Sequence, residues 1–124
     1  MQMVLRVLVG IAGALALVVA ARGWTAPQEL ATQFGLSPEG ALGLATVRAD
    51  LSGFFAGGGV LALAAAFRGR GRLLTAPLLL IGLALTGRLI TAATAGVPQE
   101  ALPPMLVEMA LVIVLGAGRL KMAP

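Results

Sequence analysis

Four ionisable side chains lie inside stretches that are otherwise apolar: Arg48, Asp50, Arg88 and Glu108. Each costs about 2.5–3.5 kcal/mol at the middle of a bilayer on insertion scales, so such residues pair, face a cavity or carry function. Two are positive and two negative, so the charges can cancel within one cluster. The structural reading is a salt-bridge network that fixes a bundle. The functional reading is a polar pocket. There Arg48 and Arg88 hold a carboxylate or lipid phosphate through forked hydrogen bonds, and Asp50 or Glu108 exchanges a proton. Arg48 and Asp50 are two apart and point about 200° apart around a helix, so they cannot share one partner. Arg48 and Ser52, four apart, share a face. The pairing expected is Arg88 with Glu108, with Arg48 or Asp50 as a further cross-helix contact.

Other chemistry is thin. The chain has no His, no Cys and no Tyr, so the usual zinc, haem, copper and disulfide ligand sets are missing. Met105 and Met109, four apart, read as core packing rather than copper ligands. No phosphate-binding loop or dinucleotide fingerprint is present. No cofactor is expected, and an enzyme is the least favoured class.

The elements that position these residues follow from composition. Of 124 residues, 59% are apolar and only 11% charged, against about 25% charged in soluble domains. That excludes an ordinary soluble fold and a disordered chain. Residues 1–124 form one domain, expected to be an all-α integral membrane four-helix bundle with a short external amphipathic helix. The apolar segments are Met3 to Ala21, Ala41 to Phe67, Leu73 to Ala95 and Pro104 to Gly118. Roughly 20 apolar residues cross a bilayer core. The first three reach that length, and the fourth needs its flank, tilt or a thinned bilayer.

Local signals agree. Ser37, Pro38 and Glu39 read as N-cap, first helical position and acidic first turn. Thr75 reads as a cap, with Pro77 in the turn that follows, and Pro104 suits a first turn. Thr25 and Gln28 suggest a capping box, Leu30 and Phe34 an apolar face, and Gly35 a stop. These predict the external helix, a cover for the bundle end or a lid. Gly10, Gly13, Gly53, Gly57 to Gly59, Gly82 and Gly87 suit close helix packing. Gly57 to Gly59 would alternatively be an unwound, ligand-binding break. Arg6, the apolar run and Val19-Ala20-Ala21 resemble a signal peptide, although an uncleaved first helix is expected.

Charge sets topology. Arg6, Arg68, Arg70, Arg72, Arg119 and Lys121 fall on one side if all four segments span. Arg22, Glu29, Glu39 and Glu100 fall on the other, with Trp24 as an interfacial anchor. The positive-inside rule places both termini in the cytoplasm. The net charge of +4 is a topology signal, not a nucleic-acid footprint. Arg48 and Asp50 then lie roughly 10–13 Å deep, Arg88 about 10 Å and Glu108 about 6 Å, all in the outer half.

The run Arg48-Ala49-Asp50-Leu51-Ser52-Gly53-Phe54, then Gly87-Arg88, Gly96-Val97-Pro98 and Glu108, resembles the small four-helix bacterial membrane proteins of the domain-of-unknown-function 4345 family. The resemblance covers roughly the last two-thirds of the chain plus the hydrophobic first helix. It implies a Glu at the Asp50 position in many members, and it implies no activity. Similarity to DoxX-like four-helix proteins is architectural only.

Three functions fit the sequence. First is a non-enzymatic accessory or scaffold subunit, or a homo-oligomer, of the bacterial inner membrane. Second is a binder or carrier of a lipid, a quinone-like molecule or a small anionic amphiphile at the charged layer. Third is a small dimeric transporter. Membrane lipids, a membrane-protein partner or a second copy are the expected partners, and nucleic acid is not.

Overall fold

In the computed structural model, residues 1–124 are all described, and the regular elements are all helical. Helix α1 spans Gln2–Thr25 and the short α2 spans Pro27–Gln33. Helix α3 (Gly40–Thr46), a π-helical turn (Val47–Leu51) and α4 (Ser52–Arg68) run on as one 29-residue span. A 3₁₀ turn, Gly71–Leu74, leads into α5 (Thr75–Ala95). A second, Gln99–Ala101, leads into α6 (Leu102–Lys121). Four helices are therefore long and apolar enough to cross a membrane. Arg6, Arg68, Arg70, Arg72, Arg119 and Lys121 gather at one end, here the basic end. The fourth span is longer than its apolar core suggests, because Arg119 and Lys121 complete its last turn, where cations meet the negative helix end.

Several helix starts differ from their sequence signals. Ser37, Pro38 and Glu39 precede the second span instead of opening it. Gly40 adopts φ +60°, and a Cβ on Gly43 would sit 2.9 Å from the carbonyl carbon of Pro38. Pro38 thus folds back over the first turn. Thr25 is no cap either. It closes α1, donating to the Ala21 carbonyl at 2.8 Å, and Ala26 takes the cap position of α2. Thr75 lies inside a continuous helical path, and its hydroxyl accepts from Arg119 Nε at 2.8 Å. Gly35, with φ +71°, does stop the chain after α2.

Packing is asymmetric. Helices α1 and α4 make the most extensive contact in the molecule. A Cβ on Gly13 would lie 2.9 Å from the Gly59 carbonyl oxygen, and one on Gly59 would lie 2.9 Å from that of Gly13. Close backbone approach through small residues is how helices gain dispersion energy where lipid removes the hydrophobic drive. Farther along, Gly23 admits Ser52, and Gly10 meets Ala66. The expectation fails for Gly53, Gly57, Gly58, Gly82 and Gly87, whose Cβ positions face open space. Nor is the chain unwound at Gly57 to Gly59. Its irregularity is the π turn, several residues earlier.

The α5–α6 hairpin is held differently. Its buried residues are Pro77 and Ile81 near the start of α5, and Leu115 and Gly118 near the end of α6. All belong to the basic end, where they join Val9, Leu74 and Met122. Polar bonds lock this end. Arg6 donates from Nε to the Ala66 carbonyl at 2.7 Å and from Nη2 to that of Phe67 at 2.8 Å. These carbonyls end α4 and lack helical partners. The Gly71 amide donates to the Ala123 carbonyl at 2.7 Å. Arg6 is therefore structural as well as a topology signal. Arg6→Ala is expected to lower unfolding stability by about 1–2 kcal/mol, read from denaturant titration in detergent micelles, with Arg6→Lys recovering part of the loss.

Candidate functional site

Away from the basic end the two hairpins stand apart. No residue of α5 beyond Ile81, and none of α6 before Leu115, is buried. The space between them is a cleft with two zones. The deeper zone is a cavity of about 170 Å³ lined by side chains of α1, α4, α5 and α6, among them Ala16, Phe54, Leu80, Val107 and Leu111. Its wall is almost wholly apolar. The shallower zone, of about 430 Å³, shares Phe54 and Phe55 with the first and adds Phe34, Asp50, Arg88 and Glu108. The two phenylalanines thus line both zones.

Three of the four charges carried by the long helices line the shallower zone. Arg88 Nε donates to Glu108 Oε2 at 2.7 Å, and the side chains retain 30% and 13% exposure. This is the molecule's one ion pair between side chains, and it joins α5 to α6 as the sequence predicts. Asp50 lines the same zone but accepts no side-chain hydrogen bond and makes no ion pair. A second recess on the far side of the Arg88–Glu108 pair reaches Thr91, Met105 and the Gly96-Val97-Pro98 turn. Met105 lines that recess and is half-buried. Met109 does not pack in the core, remaining 48% exposed.

Arg48 does not join the cluster, a correction to the four-charge layer. Its Nε donates to the Trp24 carbonyl at 3.1 Å, and Trp24 Nε1 donates back to the Arg48 carbonyl at 3.1 Å. The two-residue spacing explains the division: Arg48 and Asp50 leave opposite sides of the π turn, Arg48 toward α1 and Asp50 toward the cleft. Ser52 shares the Arg48 face, as its spacing predicts. It is fully buried against Gly23, and its hydroxyl has no partner.

Helix α2 covers one side of this region. It buries Leu30 and Ala31 against α1 and the π turn. The residue that ends it, Phe34, packs on Phe55 at 5.8 Å between ring centroids, and Phe55 meets Phe54 edge-on at 5.3 Å. Phe55 carries no periodic signal of its own. The available clue was composition, since three of the four phenylalanines fall between positions 34 and 55 around Asp50.

The fold and its site define a class: a small all-helical protein with four membrane-length helices and one charged cluster between two hairpins, half-buried at Arg88 and Glu108 and exposed at Asp50. The sequence comparison is specific. Residues 4–119 match the family described as Domain of unknown function (DUF4345), and the chain belongs to that family. No curated protein and no solved structure matches it. The segments that carried the resemblance frame the cleft. Arg48 to Phe54 forms the π turn and the start of α4, Gly87-Arg88 lies in α5, and Gly96 to Pro98 closes the α5–α6 recess.

Proposed function

We propose that this protein is a non-enzymatic binder of an amphipathic, lipid-like ligand, seated between the two hairpins within the bacterial inner membrane. Both termini face the cytoplasm by the positive-inside rule, so the charged layer belongs to the outer leaflet. The observation that carries this reading is adjacency. An apolar cavity large enough for part of an acyl or isoprenoid chain shares Phe54 and Phe55 as a wall with a zone that holds a carboxylate and an ion pair. Ligand sites combine mostly apolar walls with a few polar groups that fix orientation. A scaffold alone would gain dispersion energy from closing such a space.

Gly58 supplies the test. It lines the apolar cavity, and a Cβ there meets nothing within 4 Å. Gly58→Leu is expected to fill the cavity and leave α1 and α4 in contact. Native mass spectrometry of protein extracted gently from its own membrane should then show at least an approximately tenfold loss of the bound small molecule. That corresponds to about 1.4 kcal/mol. Wild-type protein that carries no small molecule, or that loses none in Gly58→Leu, overturns the reading. A larger protein that co-purifies in place of a ligand would establish the accessory-subunit function.

A further inference from the structure

The chemical class of the head group follows from how the charges are divided. With Arg48 drawn to α1, the zone that holds Asp50, Arg88 and Glu108 has two carboxylates and one guanidinium. Arg88 is committed to Glu108. Asp50 is left without a counter-ion, so the zone has a formal excess of one negative charge. An anionic head would add to that excess. A quinone-like head would take hydrogen bonds from Arg88 but leave Asp50 unanswered.

The walls point the same way. Phe34, Phe54 and Phe55 line the zone that Asp50 lines, and they touch one another at 5.8 Å and 5.3 Å between centroids. Their negative quadrupoles attract a cation within about 6 Å of the ring, most strongly where water is excluded. Aromatic rings beside one free carboxylate are the recognition chemistry of a substituted ammonium. They offer nothing to a phosphate or sulfate.

We infer that the ligand of this cleft carries an ammonium head, placed among Phe34, Phe54 and Phe55 and neutralised by Asp50, with its chain in the apolar cavity below. This rests on the cleft being a binding site for an amphiphile. The ammonium belongs either to a zwitterionic lipid, whose phosphate would reach the free guanidinium nitrogens of Arg88, or to a simple cationic amphiphile.

The test uses the full chain in a maltoside detergent and four probes of equal chain length: dodecyltrimethylammonium, dodecylphosphocholine, dodecanol and dodecyl phosphate. Competition measured by native mass spectrometry should favour dodecyltrimethylammonium over dodecanol by about tenfold. Asp50→Asn should erase that preference and leave dodecanol binding unchanged, which shows that the cleft is intact. Asp50→Glu should restore it. Dodecylphosphocholine equal to dodecyltrimethylammonium assigns a zwitterionic lipid. Binding of dodecyltrimethylammonium alone assigns a cationic amphiphile. The ammonium assignment is overturned if dodecanol binds but Asp50→Asn leaves the preference intact, or if dodecyl phosphate binds best. Failure of all four probes to bind in wild type overturns the cleft reading itself.

Discussion

Gly59→Val is expected to destabilise the protein by about 2–3 kcal/mol, in the upper range for overpacking a tight contact. The new Cβ would approach the Gly13 carbonyl oxygen to 2.9 Å and Leu17 Cγ to 3.0 Å. A backbone oxygen cannot rotate away as a side chain can, so α1 and α4 must separate. Separation loses dispersion contacts along the longest interface in the molecule, and lipid supplies no hydrophobic force to restore them. The same glycine run contains the control. Gly57 and Gly58 are two residues and one residue away, yet a Cβ on either meets nothing within 4 Å. Gly57→Ala should therefore be neutral or slightly stabilising, since Ala improves on Gly within a helix by about 1 kcal/mol. Unfolding in mixed micelles at increasing dodecyl sulfate fraction measures both. Equal effects at positions 57 and 59 would show that helix propensity, not the Gly13–Gly59 approach, controls this segment.

Arg88→Met should cost about 2–3 kcal/mol. The removed guanidinium leaves Glu108, only 13% exposed, as a half-buried carboxylate without its cation. An unpartnered charge in such a site costs more than the pair contributes. Glu108→Gln should be milder, about 1 kcal/mol, because its amide oxygen still accepts from Arg88 Nε. The double variant Arg88→Met/Glu108→Leu should regain much of the loss, since apolar residues of similar volume often replace an ion pair without penalty. A double-mutant cycle isolates the coupling, expected at about 1–2 kcal/mol. Additive losses would mean that each residue acts through some other partner.

The four membrane-length helices are legible in the sequence because a bilayer would make the demand simple. An apolar run of the right length has few alternatives to a helix when every backbone polar group must be satisfied internally. The Arg88–Glu108 pair is legible for a related reason: charges of opposite sign at similar depth on successive helices seek one another. Helix starts were harder to read. Ser37 and Thr75 have the right chemistry for caps, but Gly43 lets Pro38 pack inward, and a 3₁₀ turn feeds α5 directly. Arg48 shows a deeper limit. Its partner is the Trp24 carbonyl at the end of α1, and every residue has a carbonyl, so no residue type announces it. The π turn is equally silent, because it is a property of backbone register rather than of a side-chain pattern. Small residues mark close packing only in part. Gly13 and Gly59 do so, while Gly58 opens a cavity instead.

The unequal grip between the helices also sets an order of assembly. The strongest interface, α1 with α4, joins spans that are neighbours along the chain. That hairpin can close while α5 and α6 are still on the ribosome, since folding proceeds from the N-terminal side during synthesis. The second hairpin then needs only a short lock, Leu74 and Gly118 against Val9, together with the Gly71–Ala123 hydrogen bond. A nascent chain thus carries a finished half before α6 is made, and the segment that follows α6 supplies the latch.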